Sequence, residues 1–172
     1  MSIKALIIGG LEVPLLAALE LQQDYEPIRA TFRHRMGDGS LRQQTAWGGK
    51  IKTTISGRGH IPAGLQGLDY EQPLVLACVA SRAITGMTNQ LTLPAARRTD
   101  APLLGRALLV DGRWQSTPVA LVGDLATLDL VTGALQYQVL YLPEISVYAA
   151  PPHESKPRRG NDYAWTLTAE EI

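Results

Sequence analysis

The sequence predicts an all-β fold, either an antiparallel β-sandwich or a barrel, with long hairpins and at most a short helix. Segments in which apolar and polar residues alternate recur along the 172 residues, and this is the period of a strand with one buried face. Glycine-rich turn sequences separate these segments. The length fits a single domain over residues 1–172.

Composition limits both the core and the partners. Aromatic residues make up only 6% of the chain, so aliphatic side chains must fill most of the core, and Trp47, Trp114 and Trp165 are expected to pack across the sheets. Sixteen basic residues balance sixteen acidic ones. The chain therefore lacks the long-range positive field that favours non-specific nucleic-acid binding.

The N-terminal third contains three candidate strands. Residues 3–8 form a short apolar run that ends at two glycines, which predicts a strand. Residues 15–23 fit either one face of a short helix after Pro14 or an alternating strand, and we favour the strand. Residues 28–36 alternate cleanly, with apolar residues and His34 on one face. This third segment is the most secure strand.

The other face of that strand carries Arg29, Arg33 and Arg35. These cations repel one another unless acidic groups of another strand or another subunit approach them, so the face is either solvated or intersubunit. Asp38 lies in a Gly-Asp-Gly-Ser sequence whose residue types tolerate a reversal of the chain. A long hairpin is expected to return through residues 41–47.

The second half of the sequence predicts further strands around one long loop. Residues 74–79 are apolar on both faces, as in a central strand. Residues 81–104 predict a large exposed loop, which carries Arg97 and Arg98 and is expected to pack on a neighbour. Two hairpins are then expected, turning at Asp111-Gly112 and at Thr132-Gly133. A Pro-rich connection over residues 150–162 precedes a closing strand from residue 163.

No catalytic, cofactor-binding or metal-ligating constellation is found. The histidines, His34, His60 and His153, lie in three different segments without a spaced partner ligand. Cys78 lies in an apolar run, where a buried and unreactive thiol is expected. We therefore expect no enzymatic activity, no metal and no cofactor.

The sequence also predicts a soluble protein made in the cytoplasm. No apolar run approaches the ~20 residues that span a bilayer, and no charged leader precedes an apolar stretch with a small-residue cleavage site. A membrane is therefore not an expected partner.

An ordered series of motifs resembles the tail-tip structural proteins of long-tailed bacteriophages. The motifs are Tyr25-Glu26-Pro27-Ile28, Arg35-Met36, Asp38-Gly39, Trp47, Lys50, Ile55-Ser56-Gly57, Gly59, Pro62, Gly64-Leu65 and Leu68-Asp69, with Trp165-Thr166-Leu167-Thr168-Ala169-Glu170-Glu171 near the end. The resemblance covers the first half of the chain and the closing segment. It does not extend to the middle loop.

This resemblance implies a subunit related to distal tail and tail-tube proteins, found in the virion tail and made in the host bacterial cytoplasm. Such a subunit closes with copies of itself into a ring, expected as a hexamer, and joins the tail tube to the tip hub. DNA passes through the lumen without a specific contact. Arg29, Arg33, Arg35, Asp38, Arg97 and Arg98 are the candidate intersubunit residues.

A second hypothesis comes from a different class of protein. Exposed tryptophans beside Arg33, Arg58 or Arg113 could form stacking platforms. The chain would then be a small β-barrel module that binds carbohydrate or single-stranded nucleic acid, and it would be a monomer or dimer.

Overall fold

The structure is a computed structural model and describes residues 4–157 and 162–172. Part of the predicted Pro-rich connection, residues 158–161, lies outside the described residues, as does Ile3 of the first predicted strand. The strands are β1 Ile7–Ile8, β2 Leu11–Glu12, β3 Glu20–Arg35, β4 Leu41–Gly59, β5 Leu74–Ala77, β6 Arg82–Gly86, β7 Gln90–Thr92, β8 Leu104–Leu109, β9 Trp114–Thr117, β10 Val119–Val122, β11 Leu125–Leu128, β12 Ala134–Tyr141, β13 Glu144–Ala149, β14 His153–Ser155 and β15 Tyr163–Glu171. The described residues are almost entirely strands, so the predicted all-β class is confirmed, but no closed barrel is found among them.

The chain forms two compact units, although the sequence predicted one domain. The first unit comprises Ala77–Ile145 together with the N-terminal segment up to Leu6. The second comprises Ile7–Leu76 and Ser146–Ile172, so the bulk of the first unit is inserted into the second along the sequence.

The first unit is a small two-sheet sandwich. One sheet has the order β6-β12-β8-β9 and the other β10-β11-β7. Its core is drawn from both sheets, as alternation along each strand requires, and consists of Leu91, Leu93, Ala107, Ala126, Leu128, Tyr137, Val139 and Tyr141. Gly105, in β8, is paired with Thr117 of β9. An added Cβ at Gly105 would lie 2.7 Å from the carbonyl oxygen of Thr117. Only glycine allows that close approach.

The second unit is built on a sheet with the order β2-β1-β5-β13-β15-β4-β3, with β14 also paired to β15. Strands β4 and β15 pair with each other, and buried residues alternate with less buried ones along both. The buried side chains include Ile51, Thr53, Ile55, Trp165, Leu167 and Ala169. The predicted closing strand is therefore confirmed as β15. It lies between β13 and β4, where it pairs with both.

A 3-10 turn, Leu15–Ala17, covers one end of this sheet. The indole Nε1 of Trp165 donates to the carbonyl oxygen of Ala17 at 2.8 Å, and the amide of His60 donates to that of Leu16 at 2.7 Å. An added Cβ at Gly59 would lie inside contact distance of the Leu16 carbonyl oxygen. The ambiguous segment 15–23 thus divides into a helical turn and a strand that begins at Glu20.

Two predictions about the middle of the chain are wrong. Residues 81–104 are not one long loop, because β6 pairs with β12 and β7 pairs with β11. The hairpin expected around Thr132-Gly133 is not formed, since β11 and β12 belong to different sheets. The turn at Asp111-Gly112 is confirmed: β8 pairs with β9, and Gly112 has a φ of 80°.

Candidate assembly interface

The most unusual surface of the second unit is the far end of the β3–β4 hairpin. We call residues 29–49 the arm. Every residue of β4 from 41 to 49 is exposed. From residue 51 to residue 59 of the same strand, buried residues alternate with less buried ones. The polar run Arg42-Gln43-Gln44-Thr45 has no apolar alternation that could bind a second layer. The arm therefore extends past the packed part of its own sheet.

The two faces of the arm differ in chemistry. The cross-strand register pairs Ala30 with Trp47, so these residues share the face of Phe32. Phe32 is 64% exposed and Trp47 is 52% exposed, while the ring of His34 lies 5.6 Å from that of Phe32. The sequence placed this apolar face against a core. In the structure it is an exposed aromatic face.

The opposite face is polar and cationic. Arg33 donates through Nε to Oε1 of Gln43 at 2.7 Å, and Arg35 donates through Nη1 to the carbonyl oxygen of Gly39 at 2.9 Å. The arm as a whole contains four arginines and one aspartate, a net formal charge of +3. One of the four, Arg42, pairs with His34 and so lies on the aromatic face. Among the described residues none of these arginines lies in an ion pair. Their charge is compensated only by water or by another molecule.

The tip of the arm is a tight, self-contained turn. The amide of Met36 donates to the carbonyl oxygen of Ser40 at 2.9 Å, and Gly39 adopts a φ of 83°. Asp38 accepts from the hydroxyl of Ser40 at 2.7 Å and from its amide at 2.9 Å. These bonds lower the pKa of Asp38 because they favour the carboxylate. Asp38 therefore shapes the tip and leaves the arginines uncompensated.

A backbone irregularity marks the base of the arm. The β3–β4 register shifts around Ala30, and a shallow hollow forms there between the two strands. Nearby, Thr31 Oγ1 and His34 Nδ1 are buried and lack a hydrogen-bond partner within the described part of the chain. Buried polar atoms of this kind are uncommon in folded proteins.

Arg97 and Arg98 lie elsewhere, and the structure does not support them as interface residues. Both are held inside the first unit. The side chain of Arg97 donates to the Asp124 carboxylate at 2.7 Å and to the carbonyl oxygen of Gly123 at 2.8 Å. A partner subunit could reach little of this side chain, which is 11% exposed.

Arg98 is more deeply buried, with a side chain that is only 2% exposed. It donates to both carboxylate oxygens of Asp100 at 2.9 and 2.8 Å, and to the carbonyl oxygens of Ala5 and Cys78 at 2.8 and 3.1 Å. Its guanidinium holds the pKa of Asp100 well below the ordinary value. Arg98 thus attaches the N-terminal segment to the first unit.

Metal-ligating side chains do not cluster in residues 4–157 and 162–172. No three ligating side chains in these ranges converge on one point, and the thiol of Cys78 is buried. His60 lies 3.4 Å from Asp162 in an exposed pair. None of the helical segments in these ranges has the length and apolarity needed to span a membrane.

The three tryptophans have different environments. Trp165 is buried, as predicted, whereas Trp47 and Trp114 are exposed, so the prediction of core packing is wrong for these two. In the first unit the guanidinium of Arg106 lies 4.7 Å from the centroid of the Trp114 ring. Sequence reasoning named other arginines beside the tryptophans and missed this one.

Comparison of the chain with protein families, curated proteins and solved structures finds no match. The class that the structure itself defines is an all-β chain of two compact units, one of which carries an exposed hairpin arm.

Proposed function

We propose that this chain is a structural subunit of a long-tailed phage tail. In this proposal it oligomerises into a ring around the tail lumen and joins the tube to the tip. The arm is the observation that carries the proposal: it is an extended two-stranded arm with an exposed aromatic face, an uncompensated charge of +3 and no second layer. Monomeric proteins rarely leave such a surface without a partner.

The arm also fits the mechanics of a ring. A heterologous contact needs one surface that projects and a different surface that receives it, and repetition of that contact closes the ring. A rigid hairpin supplies the projecting element, and its strands would contribute to an inner barrel of neighbouring copies. A cationic face towards the lumen would meet the DNA backbone without reading its sequence.

The proposal is tested on virions. An antibody against this chain, applied to negatively stained particles of the source phage, is expected to label the far end of the tail. Label along the whole shaft would assign the chain to the tube instead of the tip. Absence of label from every virion would overturn the proposal.

A second candidate function is a module that binds carbohydrate or single-stranded nucleic acid through the first unit. The observation that favours it is a polar row beside Trp114. Arg106 donates to Gln138 at 2.6 Å, and Gln138 donates to Thr85 at 2.8 Å. Aromatic rings stack on sugars and bases, and such a polar row suits sugar hydroxyls. Titration with oligosaccharides should then change the tryptophan fluorescence of the wild type but not of Trp114→Phe.

A further inference from the structure

The second unit carries another exposed apolar surface, at the opposite end of the β3–β4 hairpin from the arm. We call residues 11–20 the leucine segment. Its four leucines are between 44% and 67% exposed and comprise Leu11, Leu15, Leu16 and Leu19. Four large apolar side chains within nine residues exceed the scattered single leucines of an ordinary surface.

The leucine segment is held in place by its backbone and by its small residues. Ala17 is fully buried and Val13 nearly so, while Trp165 and His60 donate hydrogen bonds to the backbone of the 3-10 turn. The leucines therefore point outwards from a fixed framework. A preformed surface of this kind loses little conformational entropy when it binds.

The charges of the leucine segment are opposite to those of the arm. Glu12 and Glu20 are exposed, and residues 11–20 contain no basic side chain. Neither carboxylate forms an ion pair within the described part of the chain. An acidic apolar surface thus matches an aromatic face that carries Arg42, and this combination favours a specific orientation as well as contact.

The two surfaces cannot meet within one copy. The hairpin runs from the pair Glu20 and Arg58 to the pair Arg35 and Leu41 without a break in pairing other than the irregularity at its middle. The sixteen residues of β3, Glu20–Arg35, span about 50 Å as an extended strand. The tip and the leucine segment lie at the two ends of that rod, so a second copy must supply the contact.

We propose that the arm of one copy packs its aromatic face on the leucine segment of the next copy. Phe32 and Trp47 would cover the leucines, and Arg42, which shares their face through its pairing with His34, would approach Glu12 and Glu20. Each copy would give one arm and receive another, which makes the contact head-to-tail. This deepens the proposed function and rests on it for its setting in a tail, but the contact itself is a property of the chain alone.

Two variants with complementary defects test the contact. The arm variant is Phe32→Ser with Trp47→Ser, and the surface variant is Leu15→Ser with Leu16→Ser. All four side chains are exposed, so each variant should keep the circular dichroism spectrum of the wild type. Mass photometry and sedimentation should show the wild type as a closed oligomer and each variant alone as a monomer.

The mixture of the two variants gives the decisive result. One variant keeps an intact leucine segment and the other an intact arm, so they should form a 1:1 dimer that cannot grow. A mixture that stays monomeric would overturn the proposal, as would a wild type that is monomeric at every concentration. Immunolabelling of virions is independent of these outcomes, so failure of this contact and failure of the tail function are distinguishable.

Charge reversal provides a second test. Arg42→Glu should weaken self-association at least tenfold, and Glu12→Arg with Glu20→Arg should do the same, because like charges then face each other. A mixture of the two should associate again, and more weakly as salt rises.

Val122→Ser with Leu130→Ser, in exposed positions of the first unit, is the matched control for the serine variants and should assemble as the wild type does. Loss of assembly in this control would contradict the assignment to the leucine segment.

Discussion

Replacement of Arg98 by methionine tests whether this residue belongs to the interior or to an interface. Methionine retains much of the aliphatic stem, so packing changes little, but four hydrogen bonds to Asp100, Ala5 and Cys78 are lost. The carbonyl oxygens of Ala5 and Cys78 would lose these donors, at about 1–3 kcal/mol for each unsatisfied group. Asp100 is half exposed and regains water. We expect the free energy of unfolding to fall by about 2–5 kcal/mol.

The assay is urea unfolding followed by circular dichroism, with Arg113→Met as the matched control. Arg113 also pairs with an aspartate of the first unit, Asp111 at 3.5 Å, but its side chain is 85% exposed. Its loss should cost no more than about 0.5 kcal/mol. If Arg98→Met is as stable as this control, or if it changes only the mass of the assembly, the interior role of Arg98 is refuted.

The same variant has a defined pH dependence. Because the folded-state pKa of Asp100 is depressed, the stability that its carboxylate contributes is present above the unfolded pKa, about 3.9, and is lost as the pH falls below it. Arg98→Met removes that contribution. The difference in unfolding free energy between wild type and variant should therefore shrink between pH 7 and pH 3, and a constant difference would contradict the pairing.

Three further substitutions probe close contacts. Gly59→Ala should displace the backbone at Leu16 and with it the leucine segment, so self-association should weaken and the melting temperature should fall. Trp165→Phe leaves the carbonyl oxygen of Ala17 without its donor and should cost about 1–3 kcal/mol in urea unfolding. Gly105→Ala should lower the free energy of unfolding by about 1–3 kcal/mol, because the added Cβ would overpack the contact with Thr117. Wild-type stability in any of the three would contradict the contact concerned.

Local patterns predicted local structure well. The alternation of residues 28–36 and the Gly-Asp-Gly-Ser sequence predicted the hairpin of the arm, since a two-residue period and residues that tolerate positive φ act over only a few positions. Asp111-Gly112 predicted its turn for the same reason. The closing strand from Tyr163 was also predicted correctly, although its place in the middle of a sheet was not.

The pairing of distant strands was beyond the reach of such patterns. Thr132-Gly133 has the composition of a hairpin turn, yet the strands on either side enter different sheets. The short strands Arg82–Gly86 and Gln90–Thr92 are surrounded by breaking residues and are stabilised by partners 33 to 59 residues away. Strand propensity depends on those partners, so the segment alone suggested a loop.

The candidate interface also shows which features local sequence patterns predict and which they do not. Alternation placed Phe32 opposite the arginines of the arm, but a strand has the same alternation whether its apolar face meets a core or another molecule. Arg98 was expected at an interface because residues 81–104 were predicted to be an exposed loop, and only the structure shows the acceptors that surround it.

The position of β15 between β13 and β4 has a consequence for synthesis. During translation the arm hairpin can form early, because β3 and β4 are consecutive, whereas their sheet gains its central neighbour only after Tyr163–Glu171 has left the ribosome. Until then β4 and β13 both present unpaired edges, to which chaperones or other nascent chains can bind. A polypeptide released before this strand is made cannot complete the sheet that supports the arm, so truncated chains would be sorted from complete ones by folding itself.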